Sequence, residues 1–315
     1  MNMVSPKKDK NVILIVGPTA SGKSALALEL AKKQALQNQE SVIINADSAQ
    51  VYRDLQIVSA RPTVSEMQGF DHQLYDYIDG AEACSAARWA HDAKTSISEA
   101  HDRDRLPILV GGTGLYVRTL LDGIAPIPDI DPEIRAQVRA LEALEAYELL
   151  QMADPEAANR LNPTDKTRIQ RALEVSRSTG KPLHHWQQRK TGGIGSAIRL
   201  HPLVLLPPRD WLYARCDQRF HLMIKNGAKQ EVEQLLNRDL SPDCPVMRAI
   251  GVPEIAQWIN GESDLETAAA IAQAATRQYA KRQYTWFRNQ CPADWPRYTE
   301  IINVDKFNDI ETLLQ

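Results

Sequence analysis

The sequence predicts an α/β protein, a parallel sheet flanked by helices and carrying an all-helical insertion. Three observations lead there. Short apolar runs alternate with helical patterns over about the first 120 residues, the signature of strands joined by helical crossovers. The first of these runs passes directly into GPTASGKS (17–24), a glycine-bracketed loop ending in a lysine and a hydroxyl. Farther on, the stretch LLDGIAPIPDIDP, rich in proline and aspartate, separates the alternating region from a segment that reads as helix throughout.

The first strand is VILIV (12–16), and SALALELAKKQAL after the loop is helical. Gly17, Gly22, Lys23 and Ser24 complete the pattern G-x-x-x-x-G-K-[ST]. In such a loop the backbone N–H groups cradle phosphate oxygens and the lysine reaches the terminal ones. The hydroxyl, here Ser24, can ligate Mg²⁺. The helix N-terminus adds its positive dipole end beneath the anion. The sheet is therefore expected to be P-loop NTPase-like. The reaction stays open at this point, because the loop grips any phosphate chain.

Two more strands follow, SVIINAD (41–47) and LPILVGG (106–112). In a parallel sheet, ligands sit beyond the carboxyl ends of the strands. GPTASGKS, ADSAQVY and GGTGLY should thus face one crevice. Asp47 there can serve as a Mg²⁺ ligand, a general base or a helix cap. Where a nucleotide hydrolase would carry an acidic residue, the 106–112 strand ends in Gly-Gly-Thr. Thr113 offers a neutral hydroxyl to phosphate, or caps the next helix.

The expected organisation is a P-loop α/β core formed by residues 1–123 and 199–315, with a helical insertion at 124–198. Residues 133–180 read as helical, with capping signals at Asp154-Pro155 and Pro163-Thr164. TGGIGS (191–196) reads as a flexible break, HPLVLLPP (201–208) as a buried strand and IINVD (301–305) as a last strand. The segment 265–290 is a long helix.

Composition narrows the function classes. A hydrophobic content of 43% supports a sizeable core, and a net charge of −3 gives no global footprint for nucleic acid. The four cysteines form no C-x-x-C pair, which fits a reducing cytosol and a cytoplasmic location. MNMVSPKKDK lacks the apolar core of a secretory signal, and no apolar run approaches the ~20 residues that span a bilayer. Basic residues cluster locally. Arg160, Lys166, Arg168, Arg171, Arg177 and Lys181 mark the insertion. Arg277, Lys281, Arg282 and Arg288 are interleaved with Tyr279, Tyr284, Trp286 and Phe287. Two such stretches beside aromatics point toward RNA.

GPTASGKSALALELA, INADSAQVYRDLQIVSARPT, LPILVGGTGLYVRTLLDG, RALEVSRSTGKPL, RFHLMIKNGAKQEVEQLL, RAIGVPEI and ATRQYAKRQYTWFR occur in the order expected of the tRNA dimethylallyltransferases, also called tRNA isopentenyltransferases. The chain resembles that family over about residues 11–290, with IVSARPT (57–63) standing where IGTAKPT is usual. Its end at Gln315, without a zinc-finger extension, suggests the bacterial type. The resemblance implies transfer of a dimethylallyl group from its diphosphate to N6 of the adenine at tRNA position 37, 3′ of the anticodon. The partners are then dimethylallyl diphosphate and the tRNA anticodon stem-loop. Mg²⁺ is the expected cofactor and a monomer the expected state.

Carried over residue by residue, the resemblance makes Asp47 the base and Thr113 a catalytic hydroxyl. Gly17, Thr19, Ala20, Ser21, Gly22, Lys23 and Ser24 hold diphosphate, and Ser24 holds the metal. Ser48, Ala49 and Gln50 contact the base, with Gln50 reading its edge. Arg135, Arg168 and Arg171 in the insertion contact tRNA, as do Arg248 and Gly251. From the long helix come Arg277, Lys281, Arg282, Gln283 and Trp286. Arg215 and Arg219 belong with these contacts, one of them reaching the diphosphate or the tRNA. Three rivals share parts of the pattern: a P-loop small-molecule kinase, a prenyltransferase acting on free adenine nucleotides, and an RNA-binding nucleotide switch. The kinase leaves GGTGLY and the basic helices unexplained, and a free nucleotide needs no insertion of this size to grip it.

Overall fold

A computed structural model describes residues 10–302 and Thr312. Along the chain run β1 (Asn11–Val16), α1 (Lys23–Leu36), β2 (Ser41–Asn45), α2 (Val64–Met67), β3 (Asp71–Gln73), α3 (Ala86–Asp102), β4 (Leu106–Gly111) and α4 (Gly114–Asp122). Next come β5 (Gly123–Ile124), α5 (Pro132–Ala140), α6 (Ala143–Ala153), α7 (Pro155–Arg160), α8 (Lys166–Thr179), α9 (Leu183–Gln187) and β6 (Thr191–Gly192). The last described elements are β7 (Arg199–Leu205), α10 (Arg209–Lys225), α11 (Ala228–Leu236), α12 (Val252–Ile259), α13 (Leu265–Gln290) and β8 (Arg297–Tyr298).

The chain forms two compact units. One holds the described residues up to Leu120 and from Gly195 onward, the other Leu121–Ile194. The first is built on a six-stranded sheet of order β3-β2-β4-β1-β7-β8. All five strand pairings are parallel. Near-continuous apolar runs suit such a sheet because helices cover both faces. Ile13, Ile15, Ile43, Ile108 and Leu203 pack with Leu26 and Leu30 of α1 in one cluster. Each fully buried side chain of this kind contributes about 1.5–3 kcal/mol.

The expected strands at 12–16, 41–47, 106–112 and 201–208 are present with shifted ends. The two edge strands are not those expected. DHQ pairs with β2 over Val42↔Asp71 to Ile44↔Gln73, and its polar composition carries no strand pattern. At the other edge the strand is Arg297–Tyr298. Ile301 and Ile302 lie outside any strand, and the rest of IINVD, like the first nine residues, lies outside the described residues.

The Leu121–Ile194 unit is helical around its own core of Val138, Ala146, Leu150, Ala158, Ile169, Ala172 and Leu173. Asp154 caps α7 as expected, accepting from Ala157 N with Pro155 in the first turn. The next cap is Asp165 rather than Pro163-Thr164. Its carboxylate takes Arg168 N, while Thr164 is held by the Asn162 side chain. TGGIGS is not the break it was expected to be. Thr191–Gly192 forms an antiparallel pair with Gly123–Ile124, in register Gly123↔Gly192.

Gly111 decides how closely the ends of β4 and β2 approach. A Cβ there would lie 2.1 Å from the Ala46 carbonyl carbon and oxygen. Gly111→Ala is expected to lose about 3 kcal/mol of stability or more, the upper range for overpacking against backbone that cannot yield. Urea unfolding of the purified variant measures this, and a loss below about 1 kcal/mol would show that the crossing can open.

Candidate active site

In the sheet order, β4 lies between β2 and β1, so the loops leaving their carboxyl ends are neighbours. Backbone bonds tie the first two: Ala46 N donates to Val110 O at 2.8 Å and Thr113 N to Ala46 O at 3.2 Å. The β1 loop is tied to the β4 loop by one side chain. The Gln283 amide accepts from Thr19 N at 2.8 Å and donates to Gly112 O at 2.8 Å. A cavity of about 500 Å³ opens above these loops.

The phosphate loop forms one wall, with Thr19, Ala20, Ser21, Gly22, Lys23 and Ser24 all lining the cavity. Gly22 caps α1 at φ 93°, a conformation that favours glycine. The Ser21 hydroxyl is buried and has no hydrogen-bond partner among the described residues. Lys23 Nζ is held by Pro18 O at 2.6 Å. Burial pushes its ammonium down to about 8, against the opposing pull of Asp47. Gly17 does not line the cavity. Its backbone passes so near β7 that a Cβ would sit 2.5 Å from Leu205 O.

Asp47 faces this wall. Asn45, fully buried, holds its backbone on both sides: Asp47 N donates to Asn45 Oδ1 at 2.9 Å, and Asn45 Nδ2 donates to Asp47 O at 3.0 Å. No helix follows, so Asp47 is not a helix cap; residues 48–51 are turns. Its Oδ1 accepts from Ala49 N at 3.0 Å, and no hydrogen bond engages Oδ2 among the described residues. Burial lowers the pKa of Arg219, and the Asp47 charge offsets part of that shift. Arg219 Nη1 donates to Thr19 Oγ1 at 2.9 Å. A carboxylate thus stands opposite two cations, Lys23 and Arg219.

Several expected residues have partners within the protein. The Thr113 hydroxyl accepts from Ser48 N at 2.9 Å and donates to Ser48 Oγ at 3.2 Å, fastening the β2 loop to the β4 loop instead of lining the cavity. Gln283, expected on the RNA surface, is buried with its amide engaged as described. Trp286 packs on Gly114, where a Cβ would meet its ring at 2.4 Å. Gly251 is buried and starts α12, its N–H taken by Glu254 Oε2 at 2.8 Å. Phe287 is buried, and the Tyr284 hydroxyl donates to Leu206 O at 3.3 Å. Tyr284, Trp286 and Phe287 are thus engaged in packing within the protein, whereas Tyr279 lines the cavity.

Ser48, Ala49, Gln50, Arg215, Arg219 and Arg248 do line the cavity. Arg215 lies over the Trp211 ring at 4.7 Å, and Arg248 Nη2 reaches Asp243 Oδ1 at 3.1 Å. Arg277 pairs with Asp217, Arg282 lies over Tyr279 at 5.7 Å, and Lys281 is exposed. In the helical unit Arg135 is exposed, Arg168 meets Asp165 at 3.5 Å and Arg171 meets Glu174 at 3.4 Å. Cys216, Phe220 and Met223 line the cavity as one stripe of α10 and went unnoticed in the sequence. Their spacing of four and three residues was the available signal.

Fold and site together define a P-loop α/β enzyme in which Asp47 is the one carboxylate among the described residues lining the cavity, set against the P-loop wall. A family profile described as IPP transferase matches residues 50–290. A tRNA dimethylallyltransferase of Erythrobacter litoralis is 60% identical over 286 residues, covering 91% of this chain and 90% of its own. That of Sphingopyxis alaskensis is 58% identical over 302 residues, covering 96% and 97%. Among solved structures, the tRNA isopentenylpyrophosphate transferase of Bacillus halodurans aligns at 33% identity and TM-score 0.69 over 97% of both chains. A eukaryotic dimethylallyltransferase acting on tRNA aligns at 29% and 0.73, over 88% of this chain and 69% of that one. The chain belongs to the IPP transferase family.

The Lys23 value sets a pH dependence. Below about 8 the ammonium is charged and attracts an anion, and above it the charge is lost. Bound diphosphate favours the charged form, so its affinity should fall as pH rises through about 8. The ratio of wild-type to Lys23→Ala affinity for inorganic diphosphate, measured by calorimetry, removes the ligand's own ionisation. That ratio is expected to shrink above pH 8, and a flat ratio from pH 7 to 9.5 would remove Lys23 as the titrating group.

Proposed function

We propose that this protein transfers a dimethylallyl group from dimethylallyl diphosphate to N6 of the adenine at tRNA position 37, releasing diphosphate. The observation that supports this most is Asp47, with one carboxylate oxygen left over, facing Lys23 and Arg219 across the cavity. The exocyclic amine of adenine is a weak nucleophile because its lone pair is delocalised into the ring. Asp47 Oδ2 takes its proton as the nitrogen attacks C1 of the prenyl group. A C–N bond forms, the C1–O bond breaks, and the electron pair leaves with diphosphate. The loop N–H groups, Lys23, Arg219 and the unpartnered Ser21 hydroxyl stabilise that developing charge. The adenine must leave the anticodon-loop stack to reach such a site.

Mg²⁺ fits the residues present. Among the described residues no group of three or more His, Cys, Asp or Glu could hold a metal, whereas Ser24 lines the cavity beside the diphosphate wall. One protein hydroxyl together with substrate phosphate oxygens and water is a donor set that Mg²⁺ accepts. Bound there, the ion would neutralise charge on the leaving diphosphate. No described helix is long and apolar enough to cross a membrane. On this reading the protein works as a cytoplasmic monomer on the anticodon stem-loop, gripped by the helical unit through Arg135, Arg168 and Arg171. Exposed Lys281 and Arg282 add contacts from α13.

Incubation with dimethylallyl diphosphate and unmodified tRNA, followed by digestion to nucleosides, should yield adenosine heavier by one dimethylallyl group. Prenylation of free AMP instead, or transfer of phosphate, would move the assignment to a rival. Asp47→Asn keeps the Ala49 bond and removes the base. Its turnover is expected to fall about 10²–10⁴-fold with tRNA affinity nearly unchanged. Near-normal turnover would make Asp47 a structural residue.

Charge reversal is not needed to test the helical unit. Glu174 is paired with Arg139 at 3.0 Å as well as with Arg171, so removing Arg171 does not strand it. Arg168→Ala combined with Arg171→Ala should weaken tRNA binding. The plot of log affinity against log salt should flatten by about one unit for each phosphate no longer neutralised. Affinity for dimethylallyl diphosphate should be unaffected. An unchanged salt slope would assign both arginines to an ordinary solvated face.

A further inference from the structure

Glu231 lies in the first turn of α11, far in sequence from the cavity loops. Its Oε2 accepts Gln56 N at 2.8 Å and Ile57 N at 2.7 Å, and its Oε1 accepts Val58 N at 2.8 Å. Three successive N–H groups converging on one point form a nest, a concavity suited to an anion. Here the anion is a side chain of the same protein. The segment closes on itself around it: Ala60 N donates to Ile57 O at 2.9 Å, Arg61 N to Gln56 O at 3.0 Å and Gln56 Nε2 to Arg61 O at 2.6 Å.

With the N–H groups turned to Glu231, the next two carbonyls serve the cavity side. Ser59 O accepts Gln50 Nε2 at 3.1 Å and Arg219 Nη2 at 3.2 Å, and Ala60 O accepts Gln50 Nε2 at 3.0 Å. Both amide hydrogens of Gln50 are thereby used. Two carbonyl neighbours also fix which way the amide is turned, because an oxygen facing them would be repelled. Gln50 is left to present only Oε1 to a ligand. An obligate acceptor suits a base carrying an exocyclic amine and opposes one carrying a keto oxygen at the same place.

We propose that Glu231 is a positioning residue that, by filling the 56–58 nest, locks Gln50 as a hydrogen-bond acceptor and so sets preference for an amino purine over a keto purine. This rests on the reading that the cavity receives the target adenine. Anchoring of α11 does not depend on this carboxylate. Val232 and Leu235 are buried, and Arg238 at the helix end is held by Asp54 and by Asp79 at 2.7 Å. Loss of the Glu231 carboxylate therefore falls on the 56–60 segment rather than on the fold.

Glu231→Gln places an NH₂ group against backbone donors, while Glu231→Asp keeps the charge one methylene short. Binding is compared for two unmodified tRNAs differing only by adenine or guanine at the target position. Wild type is expected to favour adenine about tenfold, within the range for one hydrogen-bonded recognition contact. Glu231→Gln should lose most of that ratio, and Glu231→Asp should keep part of it. In the Gln50→Ala background Glu231→Gln should change the ratio less than about twofold, because the two act as one unit. A full preference in Glu231→Gln, or independent and additive effects with Gln50→Ala, would overturn the proposal. Amide hydrogen exchange at 56–58, read on protein without substrate, should quicken in both Glu231 variants. Unchanged exchange would defeat the nest itself whatever the substrate. Failure of wild type to prenylate tRNA, with exchange altered as expected, would instead remove the functional reading beneath it.

Discussion

The position of β4 between β1 and β2 is the constraint from which the site follows. A parallel sheet sends every strand out at the same end, so neighbouring strands deliver neighbouring loops. The phosphate loop, the Gly112-Thr113 turn and Asp47 thus come together although the sequence scatters them over about a hundred residues. Side chains then fix the spacing. Gln283 joins the first loop to the second, and Thr113 joins the second to the third. Both ties are neutral, so they hold the walls without adding charge to the cavity.

What the sequence made legible was local. The phosphate loop declares itself because its chemistry requires fixed residue types at fixed spacing, and the strand before it and the helix after it are equally local. Asp47 was legible as a residue at a strand end, but its use as a cap could be dismissed only once the following turns were known. The long helix shows the opposite case. Its composition revealed that it is helical and basic, yet not how it is rotated. Gln283, Trp286 and Phe287 turn inward, and Lys281 and Arg282 turn out. A sequence contains the helical wheel without its orientation, which the neighbours supply. The start of α12 at Gly251 was hidden for the same reason, since it depends on what lies against it.

The edge strands mark another limit. Three polar residues and then two residues carry no periodicity, and only the register of the adjacent strand makes them part of the sheet. The cavity wall formed by α10 was nearer to reach. Arg215 and Arg219 stand one turn apart beside the stripe of Cys216, Phe220 and Met223, so one helix supplies both cationic and apolar surface. A ligand with a charged head and a hydrocarbon tail asks for such a pairing.

The short antiparallel pair at the ends of the helical unit has a consequence for how the chain folds. Gly123 lies opposite Gly192, so the unit enters and leaves through adjacent strands. Closing a loop costs entropy that grows with the logarithm of its length, and a stem of paired backbone shortens the effective loop to that of a hairpin. Once the stem forms, β4 and β7 can find their places on either side of β1 without waiting for the intervening helices to settle. The stem also makes the unit an interchangeable part. Its two ends meet in one place on the chain's path, so the sheet order does not depend on how many residues lie between them.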